Sequence, residues 1–218
     1  MSNQKIFHVI SPPGSGNTFA ETLISEYIKD AEYESVHHNY DSFDKNTYNV
    51  SILRSPHAAI ASSAELELNK ALTTPDDKEN ARVMNEIKYN TIRVLYPMFQ
   101  RGMDDYMNFM ECLQKQNKEN VFISTFEFLT ETPEMFLNQI CKKFSLELND
   151  KDTKNIKENI IEKMKQDPQL KKRIPKEATP LRNLINNNVW AHPPIQDSKI
   201  HYKYLEYKKE IERKQNNE

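Results

Sequence analysis

The nine residues Ser11-Pro12-Pro13-Gly14-Ser15-Gly16-Asn17-Thr18-Phe19 carry the densest chemistry in the chain. Only three glycines occur among 218 residues, and two of them, Gly14 and Gly16, stand in this run. In a chain so poor in glycine, that clustering marks a backbone requirement. Ile6 to Ile10 read as a buried strand ahead of the run. From Asn17 to Ile28 the pattern reads as a helix, with Phe19, Leu23 and Ile24 near helical spacing. A strand, a glycine turn and a helix together point backbone N–H groups inward, and the helix N-terminus adds partial positive charge. That combination favours a phosphate or sulfate dianion. Ser15 and Thr18 add hydroxyl donors. The plainer alternative is an ordinary strand-to-helix turn, and the glycine clustering counts against it.

Two further groups of residues fit the same chemistry. Tyr48 to Leu53 reads as a strand that runs into Arg54. Ser55-Pro56 then looks like an N-cap followed by proline at the first helical position, with a helix from His57 to about Leu72. Ser62 falls eight residues after Arg54, about two turns into that helix. The planar fork of an arginine suits a phosphate. His37 and His38 close a short strand expected between Tyr33 and His38. Histidine titrates near neutrality and suits proton transfer, and Glu34 is a second candidate base. If strand alternation continues, only one of the two histidines faces the loop.

Two anion-binding families use loops of this shape. Against the nucleotide-binding pattern G-x-x-x-x-G-K-[ST], Ser11 replaces the first glycine and Asn17 replaces the lysine. The strand that would carry an acid for Mg²⁺ ends in Arg54 instead. The run Pro13 to Phe19 resembles more closely the P-K-S-G-T-T-W loop of the sulfotransferases that use 3′-phosphoadenosine-5′-phosphosulfate (PAPS). Arg54 followed by Ser62 resembles that family's 3′-phosphate motif. Ser124 to Leu129, with Pro133, Ile140 and Phe144, resembles its later Y-E-D-L segment and following helix, with Phe126 and Phe128 in place of the tyrosine and aspartate. The resemblance spans roughly Lys5 to Leu148.

This resemblance implies a three-layer, P-loop-NTPase-like α/β fold. It implies that Gly14, Ser15, Gly16, Asn17 and Thr18 cradle the 5′-phosphosulfate, that Phe19 stacks on adenine, and that Arg54 and Ser62 bind the 3′-phosphate. PAPS would be the co-substrate and 3′-phosphoadenosine-5′-phosphate (PAP) the product, with His37 or His38 as general base and no metal. Gly14 stands where many members have a lysine, so charge on the leaving group must come from elsewhere. The family often uses a late basic loop on the 3′-phosphate, which makes Arg182 and Arg173 candidates. Glu127 is expected to be structural.

The elements that must position these residues follow from the pattern. Strands at about 6–10, 33–38, 49–53 and 121–124, separated by helices, imply a central parallel sheet of about four strands with ligands at the strands' carboxyl ends. Helices are expected from Thr74 to about Tyr96, from Asp104 to Gln116, and from Thr132 past Phe144. Residues 149–218 are expected to form a helical, basic C-terminal extension packed on the core of a single domain. Within it, Lys171 to Pro194 reads as irregular, and Ser198 to about Lys214 as a polar helix. Trp190 is more simply packing than a ligand platform.

The net charge of −2 argues against a general nucleic-acid binder. Cys112 and Cys141 have no metal-ligand spacing and are expected to be buried thiols. The short polar start and the lack of an apolar run of about 18 residues lead to the expectation of a cytoplasmic protein with no membrane span. The acceptor stays open among carbohydrate, lipid, peptide and small alcohol, since Tyr89, Tyr96, Met98, Phe99, Met103, Tyr106 and Met107 suit either a pocket or a core. A degenerate nucleotide kinase and a non-catalytic nucleotide-binding module are the alternatives.

Overall fold

The computed structural model describes residues 5–34, 36, 40, 43, 46–72, 77–116, 119–149, 151, 155–171, 180–191 and 199–216. Four strands, β1 (Lys5–Val9), β2 (Ala31–Glu34), β3 (Tyr48–Leu53) and β4 (Val121–Thr125), form one sheet in the order β2-β1-β3-β4. All its pairings are parallel, with Val9 opposite Val50, and Leu53 opposite Thr125. This is the α/β architecture expected from strands separated by helices. The second strand spans Ala31–Glu34, two residues earlier at its start than expected, and the expected end at His38 lies outside the described residues.

Side-chain alternation along the strands decides which helices cover each face. Phe7 and Val9 of β1, Val50 and Ile52 of β3, and Phe122 of β4 point to one side. There they bury α1 (Asn17–Tyr27), α6 (Pro133–Phe144) and α7 (Ile156–Gln166) through Leu23, Ile24, Phe136, Ile140, Ile156 and Ile160. Ile10, Leu53 and Val121 point to the other side. They meet α2 (Pro56–Leu72), α4 (Thr91–Lys115), α9 (Pro180–Ala191) and α10 (Lys199–Asn216). Three more helices complete the described chain: α3 (Asp77–Tyr89), α5 (Phe126–Glu131) and α8 (Pro168–Lys171).

Two helical expectations change. The stretch read as helices 74–96 and 104–116 does hold two helices, but the break falls at Asn90 between α3 and the 25-residue α4, which carries Pro97 inside it. A proline costs a helix interior about 3 kcal/mol. Buried Leu95, Phe99 and Met103 line the adjacent turns, and burying each contributes roughly 1.5–3 kcal/mol. Packing therefore overrides the break. Gly102 is where α4 meets α2, since a Cβ there would lie 3.1 Å from Ile60. The second change is α9, which lies inside the segment read as irregular. Ile185 and Val189, one turn apart, dock it onto α2 and α4. Cys112 and Cys141 are partly rather than fully buried and form no disulfide.

The later helices are tied back to the first. Ile28 bridges Leu148, Asn149 N–H donates to Tyr27 O at 2.8 Å, and Glu26 pairs with Lys151 and Lys163. On the opposite face, the buried Tyr106 of α4 donates its hydroxyl to Arg54 O at 2.6 Å. Burial pushes that phenol well above its usual range. Tyr106→Phe should lower stability by about 1–2 kcal/mol by removing a buried hydrogen bond, measured as a shift in the urea midpoint at constant slope.

Candidate functional site

In an open parallel sheet, the connections leaving two adjacent strands in opposite directions open a crevice at their carboxyl ends. Here β1 is flanked by β2 on one side and β3 on the other, so the crevice lies at the ends of β1 and β3. The loop 10–16 and Arg54 both start there. Three bonds hold the two ends together: Ile10 N–H donates to Val50 O at 2.9 Å, Ser51 Oγ to Ile10 O at 2.8 Å, and Ile52 N–H to Ser11 Oγ at 2.6 Å.

Gly14 and Gly16 adopt φ of 76° and 93°, the left-handed region that side chains rarely occupy. A Cβ on Gly14 would lie 2.4 Å from Ala59 O and 2.9 Å from Ser62 Cβ. The loop therefore lies directly on α2, with no room for any side chain at this point. A Cβ on Gly16 would lie 2.9 Å from the Phe126 ring. Ser15 N–H closes the turn onto Pro12 O at 3.2 Å. Asn17 Nδ2 donates to Ser11 O at 3.3 Å. The residue at the position of a nucleotide-binding lysine thus braces the loop.

Two polar atoms of the loop lack a protein partner. The Ser15 side chain is 0% exposed and its Oγ has none, and neither does the buried Asn17 Oδ1. An unsatisfied buried hydroxyl at a helix N-terminus, where first-turn N–H groups have no intrahelical acceptor, suits an incoming oxyanion. Thr18 lies in the first turn of α1, and its carbonyl accepts from Thr22 Oγ1 at 2.8 Å. Phe19 lies elsewhere. At 2% exposure it packs among Ala20, Leu23 and the sheet, with no ring face open to a base.

Arg54 and Ser62 do come together with the loop. Arg54 Nη1 donates to Gly14 O at 2.7 Å, and the guanidinium lies 4.0 Å above the centre of the Phe126 ring. Thr125 caps the short helix that presents this ring by accepting from Phe128 N–H at 3.2 Å. Burial, with the nearby Arg182 charge, holds the Arg54 guanidinium down to about 10, while Glu127 acts in the opposite direction. It stays charged at neutral pH. Arg182, from the late basic stretch, reaches the same place. Its Nη2 donates to Ser62 Oγ at 3.3 Å, and its Nε donates to Glu65 Oε2 at 2.7 Å.

His37, His38 and Arg173 lie outside the described residues, as does the side chain of Trp190. Glu34 hydrogen-bonds at 3.2 Å to the buried His8 on β1. Glu65 and Phe126 are site residues whose roles the sequence reading missed. Glu65 sits three residues after Ser62 on a helix already expected, which was its available signal. The Phe126 role needs a contact across the sheet and has no local signal. Among the described residues, no group of three or more His, Cys, Asp or Glu is placed to hold a metal ion. None of the described helices is long and apolar enough to cross a membrane.

No protein-family model and no curated protein sequence matches the chain. A solved structure does. The crystal structure of mouse sulfotransferase SULT7A1 complexed with PAP aligns over 94% of this chain and 90% of that chain, with a TM-score of 0.50 and 14% sequence identity. At that identity the likeness establishes the fold: a parallel α/β sheet flanked by helices, of the kind that sulfotransferase has.

Two outcomes follow from this geometry. Gly14→Ala should cost about 1–3 kcal/mol, because the new Cβ meets a helix carbonyl at a positive φ. Chemical denaturation measures it. His57, beside Arg54 at the start of α2, is held down to about 4 from its ordinary 6.5 by burial and by His201, whose ring lies 5.3 Å away. The folded protein therefore binds fewer protons than the unfolded chain over that interval. Stability should fall as pH drops from about 6.5 toward about 4, and a His57→Phe variant should flatten that slope in melts across the range.

Proposed function

We propose that this chain is a sulfotransferase that moves a sulfuryl group from PAPS to an acceptor hydroxyl or amine. The observation that carries the reading is the convergence of two arginines and a serine beside a glycine-bent anion loop. Arg54 bonds to Gly14 O, Arg182 bonds to Ser62 Oγ, and the loop holds the partnerless Ser15 hydroxyl. A nucleotide bearing phosphates on both its 3′ and 5′ positions matches such a pair of adjacent anion sites. The crossover geometry supports it, since ligands of this sheet type bind at the carboxyl ends of the strands. The PAP named in the SULT7A1 structure's title is a ligand of that chemistry.

In this reading Gly14, Ser15, Gly16, Asn17 and Thr18 hold the 5′-phosphosulfate, while Arg54, Ser62 and Arg182 hold the 3′-phosphate. The acceptor oxygen gives its proton to His37 or His38 and forms a bond to sulfur. The bond from sulfur to the bridging oxygen of the 5′-phosphate breaks, and PAP leaves with that electron pair. The loop N–H groups and the α1 dipole stabilise the departing phosphate. No cation projects from position 14, where the backbone of α2 fills the space. Residues 149–218 complete the same unit as a helical extension that supplies Arg182.

Calorimetry with PAP, and in parallel with ATP and Mg²⁺, tests the proposal. Micromolar binding of PAP is expected, weakened at least about tenfold in Arg54→Ala by loss of a charge-assisted phosphate contact. Binding of Mg·ATP alone would move the chain to the kinase-like class. PAP binding without sulfuryl transfer to any acceptor class would make it a nucleotide-binding module.

A further inference from the structure

Ser62 and Glu65 are three residues apart on α2 and so share one helix face. Arg182, near the start of α9, lies across from them. Its Nε donates to Glu65 Oε2 at 2.7 Å, and its Nη2 donates both to that same oxygen and to Ser62 Oγ. One carboxylate oxygen thus takes two donors from the guanidinium edge that would otherwise grip an oxyanion in a fork. Glu65 is buried at 7% exposure, so it has little room to swing into solvent when an anion arrives. The Arg182 charge is also felt by Arg54. Arg54 bonds to Gly14 O, Gly14 lies against Ser62, and Arg182 bonds to Ser62 Oγ, so the two guanidinium groups flank one subsite with a buried carboxylate beside it.

We propose that Glu65 is a resident counter-anion that sets the affinity of the Arg182–Ser62 subsite for a nucleotide 3′-phosphate. The proposal rests on the reading of the site as one for PAP and PAPS. In the ligand-free protein, the carboxylate offsets repulsion between Arg54 and Arg182. A phosphate that contacts Arg182 is brought close to Glu65 as well, so the same carboxylate penalises the filled state. Donor and product share the 3′-phosphate, so the penalty falls on both alike. Such uniform weakening leaves the chemical step untouched and favours release of the product, a step that limits turnover in many enzymes. Glu65 is thereby a specificity-determining residue, because its effect is confined to ligands that carry the 3′-phosphate.

The test compares PAP with AMP, which lacks the 3′-phosphate, by calorimetry on wild type, Glu65→Gln, Glu65→Asp and Arg182→Ala. Glu65→Gln keeps the side-chain size and a carbonyl acceptor for Arg182 Nε but deletes the charge. It is expected to tighten PAP binding about tenfold, with AMP binding unchanged. Glu65→Asp draws the charge back by one methylene and is expected to tighten PAP by a smaller factor. It also serves if Glu65→Gln does not fold, as judged by its thermal melt. Arg182→Ala removes the guanidinium beside Ser62 and should lower the ratio of PAP to AMP affinity. If folded Glu65→Gln binds PAP no more tightly than wild type while wild type prefers PAP to AMP, the counter-anion role is overturned and the site reading stands. If wild type binds both nucleotides equally, the 3′-phosphate reading fails, and the role of Glu65 with it.

Discussion

The Arg54 guanidinium is the joint on which the site depends. It sits at the carboxyl end of a central strand, bonds to the carbonyl of Gly14, and stacks on the ring of Phe126, while its own carbonyl accepts from Tyr106. One residue thus links β3, the anion loop, the β4–α5 junction and α4. Taking a charge this far out of water is costly unless its donors are used. The fall of its pKa to about 10 expresses that cost. The glycines are part of the same constraint. Gly14 brings the loop against α2, and Gly16 makes room for the Phe126 ring, so a side chain at either point would push apart the groups that Arg54 holds together.

The electrostatics around this joint are closely balanced. Arg54 and Arg182 supply positive charge, and Glu65 and Glu127 lie beside them. Burial raises Tyr204 of α10 to about 12, with Glu127 and Glu212 acting in the same direction and Arg54 against them. The last helix therefore contributes to the polar environment behind the strand ends. With Glu65 and Glu127 beside the two guanidinium groups, the affinity for an anion is a matter of which carboxylate yields and which stays.

The loop, the strand-end arginine and Ser62 were legible because each is encoded by spacing within a few residues of one element. The parallel sheet was legible because short apolar runs are separated by stretches of helical spacing. Arg182 was visible only as one basic residue in a proline-punctuated stretch. The helix that carries it depends on Ile185 and Val189 finding α2 and α4, a tertiary gain that local propensity does not record. The break expected near Pro97 failed for a related reason, because a continuous apolar stripe outweighed one missing hydrogen bond. Phe19 is drawn in two directions. Its spacing to Leu23 already placed it on the core face of α1, and the family resemblance drew it outward toward a base.

In the proposed function, the loop 11–18 and the Arg54–Ser62–Arg182 cluster form one site for a nucleotide with 3′- and 5′-phosphates. A crystal structure of the chain with PAP measures this most directly. The 5′-phosphate should lie within hydrogen-bond distance of Ser15 and the first turn of α1, with the 3′-phosphate against Arg54, Ser62 and Arg182. A nucleotide bound with its 3′-phosphate in solvent, or seated away from the ends of β1 and β3, would contradict it.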